Sequence, residues 1–404
     1  MTQLTAILIF ALAATPLPQS PGGAGQEDVT GVVFLDANGN STRDPTERGL
    51  PGIAVSNQVD VVVTGADGVY HLDSSHGYGI VFVSVPDGYR AVGAFWRHVE
   101  KSASTPVSFA LVKEPIPTEF TFVHASDTHL SEKSLPRTQR LKALVDSLKP
   151  AFVLVSGDLV RDALRVPEAE ATGYYQMYLR ETARFSAPIW NVPGNHEIFG
   201  IERMTSLVSP THPLYAKAMY RHFLGPDYYS FTYGGIHFVG LNSVDYDDLW
   251  YYGHVDSTQI AWLKEDLKTV PPTTPVVTFN HIPFLSTAEI LSGYTDDPPA
   301  PSLITVNHHT AFRHTVSNAA EVIAALKDHP YPLALGGHIH MRESIEYVIQ
   351  ERRIRFHQAA AVVGPTDVAG LTMPSGITLY RVRAGEIDDG TFVPLDGPTR
   401  TGTQ

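Results

Sequence analysis

The chain has 404 residues, enough for two domains rather than one. Its 43% hydrophobic and 18% charged content marks it as globular, and a net charge of -13 disfavours broad binding to nucleic acid or anionic lipid. No cysteine is present, which excludes disulfides, thiolate zinc sites and cysteine nucleophiles, so a metal would have to be held by nitrogen and oxygen ligands, of which 18 histidines are candidates.

Leu4 to Ala14 form a short apolar run, followed by Pro16, Pro18 and Pro21. The run is too short to span a bilayer and reads as the core of a signal peptide, although the preceding Met1-Thr2-Gln3 lacks a basic residue. The expectation is a signal peptide and linker over 1–26, export to the periplasm, the cell surface or the outside, and no transmembrane span after signal removal. Residues 27–114 read as all-β, with strands at Gly31–Leu35, Val59–Thr64, Gly68–Leu72 and Ile80–Val85 separated by turn residues. A small β-sandwich is predicted, ending at Pro115 and Pro117.

From residue 117 to 384 the pattern alternates. A strand at Thr121–Ala125 precedes a helix over Arg137–Leu148; a strand from Phe152 precedes a helix over Glu168–Arg184; further strands begin at Pro188, Pro275 and Leu333. Asp256 and Gln259 form a capping-box pattern before a helix carrying Trp262, Leu263 and Leu267 on one face, and another helix covers Asn318–Lys327. Leu303–Thr315 reads as loop, Ser344–Val382 as hairpins with a closing strand, and 385–404 as a weakly ordered tail. The predicted fold class is α/β (α+β): two sheets packed face to face between helices, a four-layer αββα sandwich, preceded by the all-β domain.

Five of the buried-type strands end in residues able to bind metal: Asp127-Thr-His129, Gly157-Asp158, Gly194-Asn195-His196-Glu197, His281, and Gly337-His338-Ile-His340. Open α/β sheets bind ligands at the carboxyl ends of their strands, so the five blocks fall on one edge. Glycines beside them let the backbone turn sharply in a crowded site.

These blocks, in this order and without substitution, resemble the calcineurin-like metallophosphoesterase family over roughly residues 119 to 382. The resemblance implies that Asp127, His129 and His340 hold a first metal, that Asn195, His281 and His338 hold a second, and that Asp158 bridges them. A bridging carboxylate suits two cations ~3.5–4 Å apart, and the ligand types favour Mn, Fe or Zn over Mg or Ca. The implied activity is hydrolysis of phosphate esters by a hydroxide bridging the metals, with His196 protonating the leaving group or steadying the transition state. Phosphodiesters and phosphomonoesters remain equally open. Purple acid phosphatases carry tyrosine where this chain has Arg161, so no tyrosine–iron bond is expected; Arg161 is a candidate to face substrate phosphate. The insert Phe284–Thr315, with His308, His309 and His314, is a candidate wall of the pocket and a possible source of a further metal ligand or phosphate donor.

In the small domain, Asp36, Asn38, Asn40, Asp44 and Glu47 occupy positions 1, 3, 5, 9 and 12 of a twelve-residue span, the ligand spacing of a calcium loop, with Ser41 where glycine is expected. The following text resembles B-type repeats of bacterial surface adhesins and is similar to N-terminal domains of some secreted calcineurin-like phosphoesterases. A binding or adhesion protein on a degenerate phosphoesterase scaffold is the rival reading. The intact set of clustered polar groups argues against it, because a scaffold has no need of them.

Overall fold

The computed structural model describes residues 28–73, 75–99, 106–296, 301–349, 351–368 and 370–396. The expected signal segment and the last eight residues lie outside them.

The N-terminal domain is a sandwich of two four-stranded sheets. One runs Val69–Leu72, Val29–Leu35, Phe109–Lys113, Tyr89–Ala91; the other runs Val61–Val63, Ala54–Ser56, Ile80–Val83, Trp96–His98. Val33, Val55, Tyr70, Val83 and Leu111 fill the space between. The strand expected from Val59 starts later because the Asn57 side chain accepts the backbone N–H groups of Val59 and Asp60, folding those residues into a turn.

The second domain contains two six-stranded sheets. In the first, Glu119–Ala125, Phe152–Ser156 and Ile189–Val192 are parallel, and Gly376–Arg383 closes the sheet antiparallel to Glu119–Ala125. In the second, Ile236–Gly240, Val276–Phe279, Leu333–Gly336 and Arg352–Gln358 are parallel, with antiparallel strands at both edges. Side-chain parity builds the layers. Phe122, Phe152 and Leu154 point at the facing sheet, where Phe231 and Phe238 meet them. Val123, Val153 and Val155 point the other way, under Leu141 and Val145 of helix Leu135–Leu148 and Tyr175 of helix Glu168–Thr182. Helices Ser257–Leu267 and Ala319–Ala325 cover the second sheet through Trp262, Leu263 and Val322. The order is helix, sheet, sheet, helix.

Three expectations need correction. Asp256 caps its helix by accepting the N–H of Gln259 at 2.9 Å, but Gln259 turns away and exchanges two hydrogen bonds with the Asn242 backbone, so the capping box is half made. The segment read as loop is a hairpin, Leu303–Val306 with His309–Phe312, turning through Asn307 and His308 at φ 48° and 66°, as a type I′ turn requires. The start of the supposed tail is sheet: Glu386–Ile387 and Thr391–Pro394 both pair with Gly376–Arg383.

The sandwich is joined to the larger domain by a buried seam. Gln58 Nε2 donates to Asp227 Oδ1 at 2.9 Å, the Tyr228 hydroxyl donates to the Gln58 carbonyl, and Trp262 Nε1 donates to Ser56 Oγ at 3.1 Å. Arg221 pairs with Asp227 from the catalytic side, and Phe82 packs edge-on against Trp262. Among the described residues no helix is long and apolar enough to cross a membrane.

Candidate metal centre

All five motif blocks leave strands of the two facing sheets and meet at one edge. Backbone hydrogen bonds tie the first block to the second and the fourth to the fifth: Asp127 to the Gly157 carbonyl at 3.1 Å, His129 to that of Asp158 at 2.9 Å, and Gly337 to that of His281 at 2.8 Å. Asp127, His129, Asp158, His338 and His340 take positive φ, between 39° and 71°. Each such non-glycine conformation costs of order 1–3 kcal/mol and persists only where the surroundings impose it. Here it turns each side chain back into the cleft. The neighbouring glycines are required by space. A Cβ at Gly157 would lie 2.5 Å from His281 Nδ1, one at Gly194 2.2 Å from Asp158 Oδ1, and one at Gly337 1.9 Å from Ser126 Oγ.

Two groups of ligand atoms form. In one, Asp127, His129, Asp158 and His340 bring an atom each within 4.8 Å of one another; in the other, Asp158, His281 and His338 do so. His340 Nε2 stands 3.1 Å from Asp127 Oδ1 and 3.2 Å from His129 Nε2. His281 Nε2 stands 3.1 Å from Asn195 Oδ1, 3.2 Å from Asp158 Oδ1 and 3.2 Å from His338 Nδ1. Asp158 Oδ2 turns to the first group, 3.5 Å from His129 Nε2. The residues fit cations. Among the described residues, Asp127 Oδ1 is buried and accepts no backbone N–H, facing only ring nitrogens such as His340 Nε2, while Asp127 Oδ2 accepts the His338 N–H. Facing imidazole nitrogens at 3.2 Å converge as lone pairs around a cation and clash as two N–H groups. The donor set of imidazole, carboxylate and amide oxygen suits divalent transition metals.

Outer partners fix the rings. His281 Nδ1 donates to the Ser156 carbonyl at 2.8 Å, leaving Nε2 free to bind; His340 Nδ1 lies 3.2 Å from Thr366 Oγ1; His338 Nε2 lies 2.7 Å from His314 Nδ1. Burial pushes the Asp158 carboxyl up, but surrounding imidazoles, His281 foremost, hold it well below the ordinary range. Burial pushes His281 down, and Asp158 more than reverses this, to about 9. For His129 burial outweighs the pull of Asp158 and lowers the ring to about 4.

His196 donates its backbone N–H to Asp158 Oδ1 at 3.0 Å and its ring Nδ1–H to the Arg161 carbonyl at 2.5 Å. Its Nε2 therefore faces the centre, 3.9 Å from Asp158 Oδ2, with the ring edge-on to His129. The Arg161 side chain is exposed, its Nη1 3.4 Å from the Tyr174 hydroxyl. Glu197 was not singled out from the sequence beyond its place in the motif. It is fully buried and accepts the N–H groups of Leu159, Val160 and Gly194 at 2.6–2.9 Å, clamping two motif turns together. Burial, reinforced by Asp158, raises its carboxyl to about 8. Of the insert histidines, His308 and His309 sit exposed at the hairpin turn, and His314 reaches the centre.

The loop of the small domain is held by its own backbone. Asp36 accepts the N–H groups of Gly39, Asn40 and Ser41, and Glu47 those of Ala37 and Asp44. Asn38 Nδ2 donates to Asp44 Oδ2, and Asn40 Oδ1 accepts from Thr42. Ser41 takes φ 65°, the conformation glycine would supply at that position. Among the described residues, neither metal-capable group involves this loop.

Comparison with known proteins agrees with this architecture. The family profile described as calcineurin-like phosphoesterase matches residues 120–342, and that of the N-terminal domain of calcineurin-like phosphoesterases matches 36–114. The resemblance to adhesin repeats gains no support from it. A search of curated proteins found no match. Solved structures with a similar fold include a dimetal phosphatase from Danio rerio, with 13% identity and a TM-score of 0.42 over 69% of this chain and 100% of that one. Another is an anchor protein of the Plasmodium inner membrane complex, with 13% identity and a TM-score of 0.41 over 69% of this chain and 85% of that one. A third is a phosphatase from Mycoplasma pneumoniae, with 13% identity and a TM-score of 0.36 over 69% and 94%. With its motif blocks gathered at one sheet edge and its profile match spanning more than half its length, the chain belongs to the calcineurin-like phosphoesterase family, metal-dependent hydrolases of phosphate esters.

Proposed function

We propose that this protein is an exported two-metal phosphoesterase, with Asp127, His129 and His340 at one metal, Asn195, His281 and His338 at the other, and Asp158 between them. One observation carries the reading: the two oxygens of Asp158 face different ligand groups, Oδ1 at 3.2 Å from His281 and Oδ2 at 3.5 Å from His129. Two divalent cations held there would neutralise the phosphate and supply a nucleophile from water at neutral pH. The chain's own residues do the rest. His281 is fixed by the Ser156 carbonyl, so its binding nitrogen needs no reorientation. His196, with Nδ1–H fixed on the Arg161 carbonyl, presents Nε2, the atom from which a proton would pass to the leaving oxygen. Arg161, whose carbonyl holds His196 and whose side chain is exposed, is the candidate to meet a substrate phosphate. The apolar run at Leu4–Ala14 supports export.

The test is metal removal and return. Protein stripped by chelator and dialysis should lose turnover and regain it with Mn, assayed on a panel of monoesters and diesters that also decides between those classes. Full turnover in protein shown by elemental analysis to be metal-free would sink the proposal.

A further inference from the structure

We infer that His314, delivered by the insert hairpin, is a positioning residue that fixes the tautomer of His338 for the second metal. The inference rests on the two-metal reading. His338 turns Nδ1 toward His281, 3.2 Å from its Nε2, and its own Nε2 lies 2.7 Å from His314 Nδ1. Only one proton fits between those two nitrogens. When His338 offers the Nδ1 lone pair to a cation, its proton is on Nε2 and is donated to His314, whose own proton then sits on Nε2. Without an acceptor at that place, His338 is free to take the other tautomer, which puts N–H into the metal site.

The other two outer partners come from the body of the domain: the Ser156 carbonyl ends a central strand, and Thr366 belongs to the hairpin behind His340. His314 comes from the insert, and the insert holds it from both sides. Arg313 is buried at 3% exposure, donates to the Tyr251 carbonyl at 3.3 Å and lies over the Tyr251 ring. Val316 donates to the Pro283 carbonyl and pairs with Gly253. A Cβ at Gly253 would lie 2.1 Å from the Thr315 carbonyl oxygen, so insert and neighbouring hairpin are in backbone contact. A ring so held has little freedom to leave His338, the property a supporting residue needs.

The experiment measures metal affinity, not turnover. The metal-free full chain, His314→Phe and His314→Asn are titrated with Zn against a chelating dye, with elemental analysis for stoichiometry. Phenylalanine keeps a ring against His338 and removes the acceptor; asparagine replaces the ring and keeps an acceptor oxygen near the place of Nδ1. The parent should bind two metals. His314→Phe should bind one of the two about 10–100-fold less tightly with the other unchanged, and His314→Asn should recover most of that loss. Two metals at parental affinity in His314→Phe would overturn the role of His314 alone, as would equal losses in the two variants. Fewer than two metals in the parent would overturn the two-metal reading on which it stands.

Discussion

Aspartates follow strand ends in both domains, Asp36 after Val29–Leu35 and Asp127 after Glu119–Ala125, and residue type alone nominates both as ligands. In the small domain, the oxygens of Asp36 and Glu47 are occupied by five backbone N–H groups. At the catalytic edge, Asp127 Oδ1 is buried and, among the described residues, accepts no backbone N–H; an imidazole nitrogen, His340 Nε2, stands 3.1 Å from it. In the first arrangement backbone N–H groups already meet the carboxylates; in the second they do not, and a cation would. The same test separates neighbours within one motif. Glu197, saturated by three amides, is a clamp, whereas Asn195, two residues earlier, points Oδ1 at His281. Residue type nominates a ligand, and unsatisfied geometry selects it.

The strongest way to break that contrast is Asp158→Asn. It removes charge from the one carboxylate facing both groups, and we expect turnover to fall to background with loss of at least one metal by elemental analysis. Parental turnover in the purified variant would end the two-metal account. His196→Ala should keep both metals and lose roughly 10²–10⁴ in rate on esters with poor leaving groups, less on activated aryl esters. Equal losses on both would leave His196 only a charge-stabilising role.

A third measurement sharpens the electrostatics. In metal-free protein Asp158 outweighs burial and raises His281 from 6.5 to about 9. The protonated pair therefore stabilises the metal-free fold fully below pH ~6.5, and that contribution disappears as pH rises through about 9. A metal must displace this proton, so affinity at the second site should rise about tenfold per pH unit from 7 toward 9 and then level. Calorimetry in buffers of different ionisation enthalpy should show the released proton; affinity flat across that range would contradict it.

The smallest effect concerns calcium. If the twelve-residue loop binds it as extracellular modules do, at roughly 10⁻⁴–10⁻³ M, about 2 mM calcium adds only ~0.6–1.8 kcal/mol to folding. We propose that the full chain melts slightly higher in millimolar calcium than in chelator. Superimposable curves would leave Asp36 and Glu47 as turn-builders alone.

The parts legible in sequence are those whose physics is local. Gly157-Asp158 and Gly337-His338-Ile-His340 announce a sharp turn with ligands, the helix over Glu168–Thr182 announces itself by pattern, and that over Ser257–Leu267 by pattern and cap. The missed parts depend on distant partners. Asn307-His308 makes a hairpin turn without glycine, and residues 386–394 read as turn-rich yet find an edge strand to pair with. His314 and His338 are 24 residues apart, and Gln58 and Asp227 are 169 apart; no local pattern joins either pair.

The seam around Gln58, Ser56 and Trp262 limits how the enzyme can breathe. A domain that swings must break its contacts cheaply, and separating these two would part the Trp262 indole N–H, the Tyr228 hydroxyl and the Gln58 side-chain amide from their partners. The sandwich is therefore a buttress and not a lid. It braces helix Ser257–Leu267, which lies behind the second sheet.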